Sequence, residues 1–186
     1  MHKTIEIRTQ RVLLRNWKPS DLIPFAELNS DPRVTAFLRG PMSREESDAM
    51  VDRLQAHIHE HGFGFLALEI PGRTPFAGFV GLARAEFESD FTPCIQIAWR
   101  LLPADWGHGY ATEAARACLD HAFGPLGEKD VVSFAWENNH RSRKVMERLN
   151  MTHDPAEDFL HPRLAPEHPL RRHVLYRLRA ADHSAG

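Results

Sequence analysis

Cysteine is scarce in this chain. Cys94 and Cys118 stand far apart among 186 residues, without CxxC spacing, which excludes a disulfide framework and a cysteine zinc site and fits thiols kept reduced. Long apolar runs are missing too. The first thirty residues are broken by Lys3, Glu6, Arg8, Arg11, Arg15 and Lys18, so no signal core forms. No stretch approaches the roughly 20 apolar residues that a membrane span needs. These two absences predict a cytoplasmic protein that does not engage a membrane. An excess of one charge is also lacking: the formal net charge is -2, which gives no general pull toward nucleic acid, so any basic site must be local. There is no GxxxxGK[ST] P-loop and no GxSxG elbow. Repeats and low-complexity linkers are likewise absent.

What is present reads as one soluble globular domain over 1–186, with 42% hydrophobic and 26% charged residues. "TIEIRTQRVLLRNW" alternates as an opening strand, and "PSDLIPFAELNSD" starts a helix with Ser20 as its cap. "SREESDAMVDRLQAHIHEHG" is a helix from a Ser43 cap to a Gly62 stop. "FGFLALEI" and "FAGFVGLARAEF" are strands around the turn "PGRTP", and "CIQIAWRLL" is a further strand. "VVSFAW" follows as a buried strand, then "NHRSRKVMERLN" as a short helix with Val145, Met146 and Leu149 inward. The Pro- and His-rich tail "DPAEDFLHPRLAPEHPLRR" reads as an ordered loop before a last strand, "HVLYRLR". The sum is a mixed α/β (α+β) domain whose central unit is strand, glycine turn, helix, strand, helix.

The glycine turn, "DWGHGYATEAARACL", carries the chemistry. Ala111, Ala114, Ala115, Cys118, Leu119, Ala122 and Phe123 form one helical stripe, with Thr112, Glu113, Arg116, Asp120 and His121 opposite. The first turn of such a helix has backbone NH groups without internal partners and the positive end of the peptide dipole. Glycines before it let a ligand approach the main chain, which is the build of a phosphate site. A plain turn between strand and helix is the alternative at Gly107 and Gly109. A dinucleotide fingerprint fails because Thr112 holds the third glycine position. The run "HIHEH" places His57 and His61 one helical turn apart, but His59 points away and no carboxylate follows at metalloprotease spacing, so a solvated helix end is the better reading and no metal site is expected.

In these relative positions "TQRVLLRNWKPSD", "LLPADWGHGYATEA" and "WENNHRSRKVMERLN" resemble the GNAT acyl-CoA-dependent N-acetyltransferases, and among them the ribosomal-protein N-terminal (Rim-type) branch. The resemblance spans Arg8 to Arg179. It implies a mostly antiparallel central sheet with flanking helices and a splayed strand pair at the CoA site. The family's pyrophosphate motif, Q/R-x-x-G-x-G/A, falls on Trp106, Gly107, His108, Gly109, Tyr110 and Ala111, with Trp106 replacing the usual Gln or Arg. Amide groups from Gly107 to Thr112 would then grip the pyrophosphate of acetyl-CoA, and main-chain groups from Trp99 to Leu101 would meet pantetheine.

Asn139 and Ser142 match the family's Asn-x-x-Ser element. Asn139 is a CoA or strand contact by that resemblance and a helix cap by its residue type alone. Ser142 is a donor to the leaving thiolate or a first-turn solvent residue. Two positions depart from the family: Gln96 stands where many relatives carry a glutamate base, and Met146 where many carry a tyrosine acid. The implied reaction is transfer of acetyl from acetyl-CoA to a primary amine, of a peptide or a small molecule, by direct attack in a ternary complex. A CoA-binding sensor without catalysis is the alternative. His161, Arg163, His168 and His173 border the implied acceptor cleft or pack the tail, and His173 is the candidate to carry the proton away. Relatives are often dimers, which leaves room for a homodimer; no nucleic acid is implied.

Overall fold

The computed structural model describes residues 4–183. Nine strands form one sheet: β1 (Glu6–Arg8), β2 (Leu13–Arg15), β3 (Phe65–Ile70), β4 (Thr74–Ala85), β5 (Cys94–Leu101), β6 (Asp130–Trp136), β7 (Thr152–His153), β8 (Phe159–Leu160) and β9 (Arg172–Arg179). Their order is β1-β2-β3-β4-β5-β6-β9-β7, with β8 also paired to β9. Every pairing is antiparallel except β5–β6, which is parallel and registered at one position, Gln96 opposite Val132. The expected mixed, mostly antiparallel sheet with flanking helices is therefore the observed architecture.

The helices are α1 (Leu22–Ser30), α2 (Pro32–Thr35), α3 (Arg44–His61), α4 (Tyr110–Phe123), α5 (His140–Arg148) and α6 (Ala180–His183). Small side chains let α4 lie close on the sheet: Ala114, Ala115 and Ala122 are fully buried, with Cys118 and Leu119 beside them. Trp17, Phe25, Phe76 and Phe79 pack with their rings 4.9–6.5 Å apart, and the Trp17 indole NH donates to the Phe65 carbonyl at 2.8 Å. Such a buried indole both fills volume and satisfies its donor. The Ser43 cap holds: its hydroxyl accepts from the Glu46 NH while the Glu46 carboxylate accepts from the Ser43 NH.

The structure corrects the sequence reading at several points. The opening segment is a hairpin rather than one strand, because Thr9 bonds back to the Val12 carbonyl and reverses the chain between β1 and β2. Ser20 caps nothing; a 3-10 turn over Pro19–Asp21 precedes α1, and the Asp21 carboxylate accepts from the Lys18 NH at 2.8 Å and from Arg15. Arg15 is buried between Asp21 (2.8 Å) and Glu69 (2.7 Å). The tail contains a short strand, β8, within the expected loop.

Thr112 and Glu113, opposite the helical stripe, are partly covered. The Thr112 hydroxyl is buried, and Glu113 is covered by the β1–β2 hairpin. At the end of α3, His57 has both ring nitrogens engaged, Nδ1 with the Phe63 carbonyl at 3.1 Å and Nε2 with the Arg84 NH at 3.3 Å. Burial lowers its pKa, so the "HIHEH" run closes a helix end onto the sheet.

Candidate active site

The site begins where β5 and β6 part. Beyond the Gln96–Val132 pairing, β5 runs on to Leu101 and β6 to Trp136 with no further registered pairs between them. The Leu102 NH bonds to the Ala77 carbonyl on β4. Backbone direction alternates along a strand, so the NH and C=O of Trp99 and Leu101 turn the other way, into the gap. The Leu101 carbonyl accepts the Trp106 indole NH at 2.8 Å, which leaves the Trp99 groups facing the opening.

α4 starts at the wide end of this gap. Gly107 and Gly109 both have left-handed φ, +81° and +83°, a conformation that strains any other residue type. Gly109 is the N-cap and offers no side chain to the helix end. The first-turn NH groups accordingly point outward unpaired, the Glu113 NH being the first to bond within the helix, to the Gly109 carbonyl. The Thr112 hydroxyl in that turn is buried without a hydrogen-bond partner. A Cβ on Gly107 would meet nothing within 4 Å, so open space lies against the main chain there.

The turn is held by Arg11 from the β1–β2 hairpin. Its Nη1 donates to the His108 carbonyl at 2.9 Å, its Nε to Glu113 at 2.6 Å, and its guanidinium lies 5.1 Å from the Tyr110 ring centroid. Glu113 in turn accepts from the Thr9 hydroxyl at 2.6 Å and the Arg11 NH at 2.8 Å. These contacts hold its carboxyl below the usual range against the desolvation that opposes them.

A cavity of about 290 Å³ fills the gap. Trp99, Leu101, Trp106, Gly107, Gly109, Tyr110, Ala111, Thr112, Asn139 and Ser142, all singled out from the sequence, line it. His108 does not; its ring stacks on Tyr110 at 5.5 Å. The Asn139 Oδ1 accepts from the Ser142 NH at 3.2 Å, so Asn139 is both the cap of α5 and part of the wall. The Ser142 hydroxyl has no intramolecular partner among the described residues.

Sequence reasoning missed the positive charge of this wall. Arg100, Arg141, Lys144 and Arg148 line it; the one carboxylate, Asp105, is 4% exposed and bound to Arg73 at 2.9 Å. Arg141, Lys144 and Arg148 recur at helical spacing on α5, a stripe that periodicity could have found. The Arg141 guanidinium lies 4.5 Å from the Trp106 ring centroid. An orphaned buried hydroxyl, free first-turn amides and three cations on the facing helix fit the pyrophosphate and 3′-phosphate of CoA.

A second cavity, about 680 Å³, adjoins the first and shares Phe37, Leu38 and Arg100 with it. His161 and His173 line it, with ring centroids 5.0 Å apart. Burial pushes the His161 pKa down to about 4, helped by neighbouring His173, and burial lowers that of His173. The Nδ1 of His173 lies 3.1 Å from the Arg171 carbonyl; a carbonyl only accepts, so this nitrogen carries the proton and Nε2 keeps its lone pair. Gln96 lines neither cavity. It sits at the last β5–β6 pairing, three residues or about 10 Å of strand short of Trp99.

Known proteins share this arrangement. The model of the acetyltransferase (GNAT) domain matches residues 11–152. The uncharacterized protein YkkB of Bacillus subtilis is 26% identical over 152 residues, 81% of this chain and 87% of that protein. The crystal structure of the acetyltransferase from Agrobacterium tumefaciens superposes with a TM-score of 0.75 at 27% identity, covering 94% of each chain. A spermidine N-acetyltransferase from Vibrio cholerae, solved in complex with CoA and spermine, has the same fold, with a TM-score of 0.73 at 14% identity over 95% of this chain and 99% of that one. With the family model spanning both the glycine turn and the Asn-x-x-Ser helix, the chain belongs to the GNAT family, as an acyl-CoA-dependent acetyltransferase.

Proposed function

We propose that this acetyltransferase moves the acetyl group of acetyl-CoA onto a primary amine, by direct attack in a ternary complex, and that it stands with the Rim-type branch. Trp106 at the motif's first position and the absence of the family's tyrosine, replaced by Met146, support the branch. The observation that carries the reaction is the pair of adjoining cavities. The first has the phosphate cradle at its wide end and the free Trp99 main chain along its side; the second holds a histidine with an open lone pair.

In this reading the first-turn amides from Gly107 to Thr112 and the Thr112 hydroxyl hold the pyrophosphate, with Tyr110 and Ala111 as its floor. Arg141, Lys144 and Arg148 take the remaining phosphate charge. His108 contributes through its carbonyl, which positions Arg11. Trp99 and Leu101 flank pantetheine, and the Trp99 NH faces the place where the thioester carbonyl oxygen gains charge.

Bound acetyl-CoA supplies the electrophile: the amine nitrogen bonds to the thioester carbonyl carbon, the C–S bond breaks, and the thiolate leaves. Ser142 donates to that sulfur. His173 Nε2 receives the proton that the amine nitrogen sheds, a role Gln96 cannot fill from its position or its chemistry. Residues 1–186 act as one domain, and the two thiols, both free and Cys118 buried, support a reducing, cytoplasmic setting. Among the described residues no helix is long and apolar enough to cross a membrane.

Without a carboxylate base, the acceptor is one that needs little help. A lysine amine, with a pKa of about 10.4, costs about 4–5 kcal/mol to supply neutral at pH 7, against roughly 1 for a peptide α-amine. The expected outcome is faster acetylation of a lysine-free peptide with an open N-terminus than of the same peptide blocked there and bearing one lysine, read as CoA thiol released at pH 7. Faster reaction of the lysine peptide overturns the assignment of the proton acceptor.

A further inference from the structure

The wall shared by the two cavities contains a cation without a counter-ion. Arg100 projects from β5, and its Nη1 donates to the Asn29 Oδ1 at 2.6 Å. Asn29 is 1% exposed and its amide is fixed by donating to Ser47 Oγ at 2.9 Å, so the acceptor it offers Arg100 is a neutral one. The face of the guanidinium rests 5.4 Å from the Phe79 ring centroid. No carboxylate among the described residues pairs with it, and burial pushes its pKa down to about 10, the direction expected of a guanidinium taken out of water without an anion.

The rest of the second cavity has the same sign. Arg39, beside the α2 end, and Arg53, on α3, line it, and neither forms an ion pair among the described residues. Its one carboxylate, Glu46, is turned back onto the Ser43 NH at 2.7 Å as part of the α3 cap. His161 and His173 have lowered pKa values and add no charge at pH 7. Three guanidinium groups therefore face one occupied carboxylate. A polycationic amine would meet like charge here; an anion would find a partly buried donor with open hydrogen-bonding capacity.

We infer that the second cavity selects an acceptor amine that carries an anionic group, a carboxylate or a phosphate, and that Arg100, with Arg39 and Arg53, takes up that group. This rests on reading the site as an amine acetyltransferase and names the substrate class within it. Arg100 also borders the first cavity, so the bound anion lies close to where the amine must meet the thioester.

The test compares amines of similar shape under saturating acetyl-CoA, each rate and kcat/KM referred to the concentration of neutral amine: leucine against leucinamide, O-phosphoethanolamine against ethanolamine, and spermidine as the cationic member. One charge-assisted hydrogen bond predicts about a tenfold or greater advantage in kcat/KM for the anionic member of at least one pair; which pair shows it tells carboxylate from phosphate. Arg100→Gln should collapse that ratio toward one. Arg53→Gln, at an exposed position, should lower it by a smaller factor, and keeps the test decisive if Arg100→Gln does not fold. Equal rates within both pairs, a preference for spermidine, or a ratio unmoved by either variant would overturn the inference. Calorimetric titration of O-phosphoethanolamine and leucine needs no turnover: arginine-dependent binding with no acetyl transfer to any amine would uphold the anion site and refute the acetyl acceptor reading instead.

Discussion

Ser142 shows how one side chain takes two tasks from its position. Its NH is spent on the Asn139 cap, while the residue lines the cavity and its hydroxyl has no partner among the described residues. A donor that meets only a developing thiolate stabilises the transition state more than the bound cosubstrate. Ser142→Ala is therefore expected to lower the single-turnover rate about 10- to 100-fold, the worth of one charge-assisted hydrogen bond, with the acetyl-CoA Kd nearly unchanged. An unaltered rate would return Ser142 to a role in the helix start alone. Gln96 is the opposite case: a position marked by the family resemblance that lines neither cavity, while His173 on a different strand lines the second.

The glycine turn and α4 are braced by the β1–β2 hairpin. Glu113 on α4 accepts from Thr9 and twice from Arg11, and Arg11 closes on the His108 carbonyl. Glu113→Ala removes three acceptor contacts at a partly exposed site, so a loss of roughly 1–2 kcal/mol of stability is expected in urea unfolding. The freed glycine turn should also raise the acetyl-CoA Kd. A variant that loses stability but binds acetyl-CoA as before would show that the brace serves the fold alone.

This brace also marks the limit of the sequence reading. The helix stripe, the glycine turn, the Ser43 cap and the central succession of strand, turn, helix, strand and helix follow from local periodicity and residue type, and they survive in the structure. Glu113 reads as part of a polar face because its cover comes from residues about a hundred positions earlier, which no local pattern encodes. Arg100 was invisible for a related reason. A charged residue in a strand reads as the solvent side of an alternation, and only the approach of Asn29 and Phe79 makes it a partly buried cation with no carboxylate partner among the described residues.

At the scale of the whole molecule, burial favours the neutral form of three histidines. His57, His161 and His173 all have folded pKa values below the ordinary 6.5. Unfolding restores that ordinary value, so below about pH 6.5 the unfolded chain binds more protons and stability falls with pH, this contribution levelling off near pH 4, where folded His161 also titrates. Thermal unfolding at pH 7.5, 6 and 5 should give a descending Tm, with a shallower descent in His161→Phe, which keeps a ring among Phe87, Phe134 and Phe159. A Tm constant across this range would contradict it.

The sheet itself is joined across its middle by the single Gln96–Val132 register. β1 to β5 form one plate, and β6 with β9, β7 and β8 another. Anything that lies in the gap and bonds to the exposed edge of β5 supplies rungs that the protein's own ladder omits there. Cosubstrate affinity and resistance to unfolding are then two readings of one free energy, since a ligand that binds only the folded chain shifts the folding equilibrium by mass action.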